Sequence, residues 1–189
     1  MKKSIILACF VVLCLAQLFV PASMIHKREA TLRHGEVFNF KTAPVDPYDA
    51  FRGRYVALNY EQSTVNGNWS ARDYRRGRVV YAILDRDADG FAQITDVVLE
   101  RPADQAFISA RVGWAGSNRL MLRLPFDRFY MDEFDAPVAE RAFIWQRDRE
   151  QRTAYARTRI RDGFGVIEDL IVEEMPMRDW LMTRENTQP

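Results

Sequence analysis

Residues 4–20 run without a single charged side chain, and only Met1, Lys2 and Lys3 precede them. A stretch of this kind constrains everything after it. Wound as a helix it covers about 25 Å, most of a hydrocarbon core about 30 Å thick, so it satisfies its own backbone while presenting apolar side chains to lipid. Two readings fit. Residues 1–22 are an uncleaved transmembrane anchor, or they are a signal peptide removed after Ala22, where Val20, Pro21 and Ala22 supply the small or apolar residues a signal peptidase reads. The length of the run favours the anchor. Either way the remaining chain is expected outside the cytoplasm; with the anchor retained it is a single-pass protein of the inner or plasma membrane touching the bilayer through residues 4–20.

Behind the anchor, residues 23–35 are assigned to a juxtamembrane connector, His26 to Glu36 being polar and charged and reading as a connector or a short continuation of the helix, which leaves 36–189 for one domain with one core. Both cysteines, Cys9 and Cys14, fall inside the apolar run, so that domain has no thiol chemistry. Its formal charge of +1 over the whole chain argues against a nucleic-acid partner, which would demand a basic surplus. The two histidines, His26 and His34, precede the domain, and Lys41 is its only lysine, so Cys/His and Ser/His catalysis lack a base. Paired acids survive as a hydrolytic option: Asp132, Glu133 and Asp135, or Glu168 with Asp169. Caps and solvated charges explain the same residues. No cofactor is expected.

Apolar alternation and turn residues predict the elements. Residues 36–42 read as a strand ended by Pro44 and Pro47; 78–84 and 91–100 as a hairpin about Asp89-Gly90; 106–115 and 119–125 as a second. Residues 155–161 and 166–173 make a third, joined through Asp162-Gly163. Asp135 and Pro137 announce a helix near 136–149, the segment 63–77 reads as an exposed loop, and the tail from Met175 is expected to pack loosely. The fold class is therefore α+β, mainly antiparallel β, as a curved sheet or a partly open barrel with one helix, preceded by the transmembrane helix.

The most distinctive text is residues 46–60, a turn running into a strand. Pro47 fixes its own φ, Asp46 and Asp49 can bond nearby amides, and Gly53 relieves the swing into the strand. Arg52 precedes that glycine. Beyond it Leu58 and Tyr60 share one strand face and Tyr55 takes the other. The segment resembles the bacterial family named for its signature Gly-Asp-Tyr-x-x-Leu-x-Tyr: Gly53, Tyr55, Leu58 and Tyr60 stand in the matching places, and Arg54 replaces the signature Asp. The aromatic stretch 125–133 and the closing segment 161–170 agree as well. The resemblance implies an N-terminal membrane anchor, an extracytoplasmic β-rich domain, frequent association with a multi-spanning membrane protein, and no established activity. We therefore expect a non-enzymatic interaction partner of an integral membrane protein. A carboxylate-dependent hydrolase and a small-ligand-binding β module are the alternatives.

Two further patterns carry chemistry. Asp85, Asp87, Asp89 and Gly90, with Asp96 twelfth, have the spacing of a calcium loop, but strand-like flanks and a terminal Asp in place of Glu make a polar hairpin turn the better reading. Arg72, Arg75, Arg76 and Arg78 surround Tyr74 as the densest basic cluster, suited to anionic lipid, to an acidic partner, or simply to solvent.

Overall fold

The computed structural model describes residues 2–43, 55–130 and 154–185. The helix expected near 136–149 and the lead-in of the signature, Asp46 to Arg54, lie outside the described residues.

Helix α1 spans Lys2–His34, continuing through Pro21 and the whole polar connector without a break. The continuation reading of residues 23–35 is thus the one the backbone adopts. Its apolar side chains, Phe10, Leu18, Phe19 and Ile25 among them, are exposed, as a lipid-facing helix requires. The final turn is different: Thr31 is 1% exposed, its hydroxyl donating to the Lys27 carbonyl at 2.9 Å. Gly35 then turns the chain at once into β1 (Glu36–Ala43).

The strands after β1 are β2 (Tyr55–Ala57), β3 (Asn59–Tyr60), β4 (Thr64–Asn66), β5 (Val79–Arg86), β6 (Ala92–Val98), β7 (Phe107–Ala115), β8 (Arg119–Arg123), β9 (Arg128–Tyr130), β10 (Ala154–Arg161), β11 (Phe164–Val172) and β12 (Met175–Pro176). A short helix, α2, follows at Met177–Glu185. One five-stranded sheet has the order β12-β11-β10-β1-β3, the other β4-β8-β7-β5-β6, and β2 pairs with β9. All these ladders are antiparallel. Isolated bridges between Asn39 and Phe91, and between Ile108 and Gly163, stitch the two sheets together, so the strands curve around a nearly closed interior.

That interior is filled from both sheets. Phe38, Phe40, Ala156, Leu170 and Val172 meet Val80, Ala82, Ile108, Val112 and Leu120 in one cluster. The alternation predicted for β5, β8 and β10 appears as a clean inward and outward pattern. Bulges break the alternation in the neighbouring strands, one of them at Thr95 in β6, which is left over where β5 shifts register between Ile83 and Leu84. Between Arg157 and Thr158 the register against β11 shifts, leaving Glu168 as the extra residue, and Gly113 is the extra residue between Val112 and Trp114. The Asp162-Gly163 hairpin has positive φ at both positions, 53° and 78°, the geometry of a two-residue type I′ turn.

Two expectations need correction. The tail does not pack loosely: Met177 and Trp180 of α2 are 1% and 5% exposed, because the β11-β12 turn folds them back against the core. Nor is the segment 63–77 wholly an exposed loop, since Thr64–Asn66 pairs with β8 and Trp69 and Tyr74 pack on the core with ring centroids 5.1 Å apart.

Candidate functional site

The described part of the signature strand is built into the core. Leu58 is buried, and its amide donates to the Asp127 carbonyl at 2.9 Å. Tyr60, 3% exposed, sends its hydroxyl to the Phe126 carbonyl at 2.8 Å and packs between Phe40 and Phe126, with centroids 5.6 and 5.3 Å away. Burial, and then the nearby Asp127 charge, raise the Tyr60 pKa far above the ordinary phenol value. A phenol so shielded is a hydrogen-bonded wedge rather than a proton donor to substrate. Tyr55 pairs with Tyr130 across the β2-β9 ladder, whereas Asp46, Pro47, Asp49, Arg52 and Gly53 fall outside the described residues.

The acidic hairpin is closed by its own backbone. One Asp87 carboxylate oxygen accepts from the amides of Asp89 at 3.0 Å and Phe91 at 2.8 Å, while the other lies 3.9 Å from the Lys41 ammonium. Asp85 accepts from the Arg86 amide and Asp96 from the Val97 amide, each 2.7–2.8 Å away. The structure does not gather Asp85, Asp87, Asp89 and Asp96 around one point. Among the described residues no group of three or more acids, histidines or cysteines is placed to hold a metal ion. The described acid pair is equally engaged: Glu168, turned outward by its bulge, makes a two-pronged contact with Arg159, both oxygens at 3.0 Å, and Asp169 accepts from the Leu170 amide. Asp132, Glu133 and Asp135 lie outside the described residues.

What the geometry does build is a closely packed joint between anchor and domain. The Lys27 ammonium sits 4.4 Å over the Phe164 ring, the Gly35 amide donates to the Thr31 carbonyl at 2.8 Å, and Arg159 reaches the Gly35 carbonyl at 3.4 Å while held by Glu168. A methyl group on Gly35 would collide with the Thr31 carbonyl and lie 3.1 Å from the Ile160 amide nitrogen, so only glycine lets the helix end so close to β10. Sequence reasoning missed this joint. Thr31 and Gly35 were its only signals, a small polar residue and a glycine at the end of a charged helical segment.

Two open recesses lie among the described residues. One, about 670 Å3, runs beside β6 past Trp69, Asp96, Leu99 and Arg101; the other, about 500 Å3, lies between the arginine-rich loop and the outer face of β7 and β8. Trp114 and Met121 in the second were not foreseen as site residues, although Gly113 within an apolar strand is a sequence signal for a bulge.

Among the described residues, α1 is the one helix long and apolar enough to cross a membrane. Joined directly to a β-rich domain, it fits the class of membrane-anchored domains carried on one N-terminal helix. The model of the GDYXXLXY protein family matches residues 17–170, and the chain belongs to that family. Neither a curated protein nor a solved structure matches the chain.

Proposed function

We propose that the protein is a non-enzymatic, extracytoplasmic domain held at the membrane surface by a retained anchor, where it binds an integral membrane protein. The observation that carries this reading is the close joint between helix and domain. From Ile25, the last exposed apolar residue of the anchor, to His34 is about 14 Å of helix, comparable to the headgroup layer and little more. With Phe164 drawn back to the level of Lys27, the domain is held against the bilayer at a fixed height, within reach of the extramembrane loops of a neighbour and with no flexible tether to let it roam. The short basic lead before an N-terminal apolar helix supports an extracytoplasmic domain. The described carboxylate pair, Glu168 and Asp169, is occupied by Arg159 and by the backbone, which favours interaction over carboxylate-dependent hydrolysis. The interior is packed with Phe38, Phe40, Ile108 and Leu170, which favours it over a ligand held in a barrel mouth.

The test is photo-crosslinking in cells from residues on the domain surface, followed by mass spectrometry. Reproducible capture of one multi-spanning membrane protein is expected. A domain that captures none, although correctly inserted, would sink the reading.

A further inference from the structure

We infer that the groove between the 71–78 loop and the β7-β8 hairpin is a docking site for an acidic peptide segment of a partner protein. The inference deepens the partnership proposed above by naming its surface and the chemistry of what it binds.

The argument begins with a bulge. Regular alternation along β7 would send residue 114 inward after Ala110 and Val112. The extra residue, Gly113, resets the phase, so that Val112 is buried, Trp114 is 56% exposed and Ala115 turns back towards the core opposite Leu120. The Trp114 ring lies over Gly116, where a methyl group would strike it, and its ladder partner is Met121, also exposed. A tryptophan beside a methionine, both facing solvent, is an apolar contact that the fold creates and leaves uncovered among the described residues.

The rim is cationic. Arg75, Arg76 and Arg123 line the groove, Arg72 and Arg78 belong to the same loop and Arg111 and Arg119 to the same two strands, while Asp73 is the one acid in segments 71–78 and 111–123. Arg111 and Arg123 stand directly opposite each other in the ladder, an arrangement of like charges that costs stability. Elsewhere the domain pairs its arginines: Arg86 with Glu36, Arg101 with Asp162, Arg159 with Glu168. In this groove they bond to carbonyls instead, Arg75 to Arg72, Arg78 to Asp73 and Arg111 to Gly77, with no ion pair to a carboxylate among the described residues. The loop is ordered: the Tyr74 hydroxyl donates to the Val97 carbonyl at 2.9 Å, and the Gly77 amide to the Val112 carbonyl at 2.7 Å. The site is therefore preformed, and its ordering cost is met before binding.

Tyr74, Arg75, Arg76, Trp114, Met121 and Arg123 line the groove of about 500 Å3. Guanidinium forks match carboxylates two bonds at a time, and Trp with Arg is the pairing most often found at the energetic centre of protein interfaces. The complement is a peptide carrying several Asp or Glu with an apolar residue between them to cover Trp114 and Met121. Lipid headgroups fit less well. The anchor touches the domain at Phe164, next to the Ile108-Gly163 bridge, and Trp114 lies about 20 Å further along β7, beyond the Debye length of about 8 Å in physiological salt.

The test uses the full chain in discs of zwitterionic lipid, titrated against a fluorescein-labelled Glu-Leu repeat peptide and its Lys-Leu counterpart. Binding of the acidic peptide should be at least roughly tenfold tighter, should weaken as salt rises, and should fall by roughly tenfold or more in the Arg75→Glu/Arg123→Glu variant. Trp114→Ala should weaken it too, while Arg161→Glu, beside the anchor contact, should leave it unchanged. Melting curves establish that each variant is folded; if the double reversal unfolds, Arg75→Gln and Arg123→Gln singly carry the same comparison. Equal binding of the two peptides, or indifference to the arginine substitutions, overturns the inference. So does a preference for anionic vesicles over the acidic peptide that the same variants abolish, which would assign the groove to lipid. The crosslinking experiment fails independently: a membrane partner captured equally by wild type and by the double variant keeps the partnership and removes this groove from it.

Discussion

Tyr60 closes the family signature, and its replacement by Phe separates a structural role from a chemical one. The substitution keeps the ring between Phe40 and Phe126 but removes the hydroxyl that satisfies the Phe126 carbonyl at 2.8 Å. Losing that buried bond, with the acceptor left unpaired, should cost about 1–2 kcal/mol, or roughly 2–8 °C in melting temperature for a domain of this size. The size of the effect should also depend on pH. Because burial raises the folded Tyr60 pKa, the unfolded chain loses its phenol proton first, near the ordinary value of about 10. The phenol's contribution to stability is thus fully present below pH 10 and falls as pH rises above it, by about 1.4 kcal/mol per unit while the folded phenol stays protonated. Wild type should therefore exceed Tyr60→Phe at pH 7 and lose most of that lead by pH 11, the comparison isolating the one phenol that differs. Denaturant unfolding of the full chain in detergent at the two pH values measures this. A stability gap of the same size at pH 7 and pH 11, or a variant as stable as wild type that no longer binds its partner, would refute the structural assignment.

Gly163→Val should destabilise the domain by about 2–3 kcal/mol, because φ is 78° there and a side chain would enter the space of the Phe107 ring and the Ser109 hydroxyl; thermal melts read it directly. Glu174 adopts φ of 66° in the β11-β12 turn while remaining exposed, so Glu174→Gly should stabilise by about 1 kcal/mol, visible as a raised denaturant midpoint with an unchanged slope. Trp180→Ala should cost about 3 kcal/mol by opening a cavity where α2 covers the core, and a loss below 0.5 kcal/mol would mean that the tail contributes little. Gly35→Val should leave membrane insertion intact while loosening the joint, seen as faster amide exchange at Thr31 and along β10.

The elements that could be read from the chain are those whose cause is local. The apolar run predicts a membrane-crossing helix by composition alone, and Asp162-Gly163 predicts a tight hairpin because residues that tolerate positive φ stand between two β-like runs. Alternation sets Leu58 and Tyr60 on one face, and both are buried in the core. The α2 helix could have been found, since Met177 and Trp180 are three residues apart directly after Pro176, yet its charged neighbours masked the pattern.

Other features had no local cause. That β1 pairs with β10, setting Phe38 opposite Thr158, depends on the core that both strands help to close rather than on either segment. The bulges at Gly113 and Glu168 reverse the inward and outward order within single strands, and that reversal brings Trp114 to the surface and Glu168 to Arg159. By itself the sequence determined an N-terminal helix long and apolar enough to cross a membrane, the antiparallel β class and the family, because composition, period and turn residues act over a few positions. The tertiary structure alone decided that the anchor ends close against β10 and that Arg75, Arg76 and Arg123 line one groove with an exposed tryptophan, because close approach and clustered charge are properties of residues brought together from distant parts of the chain.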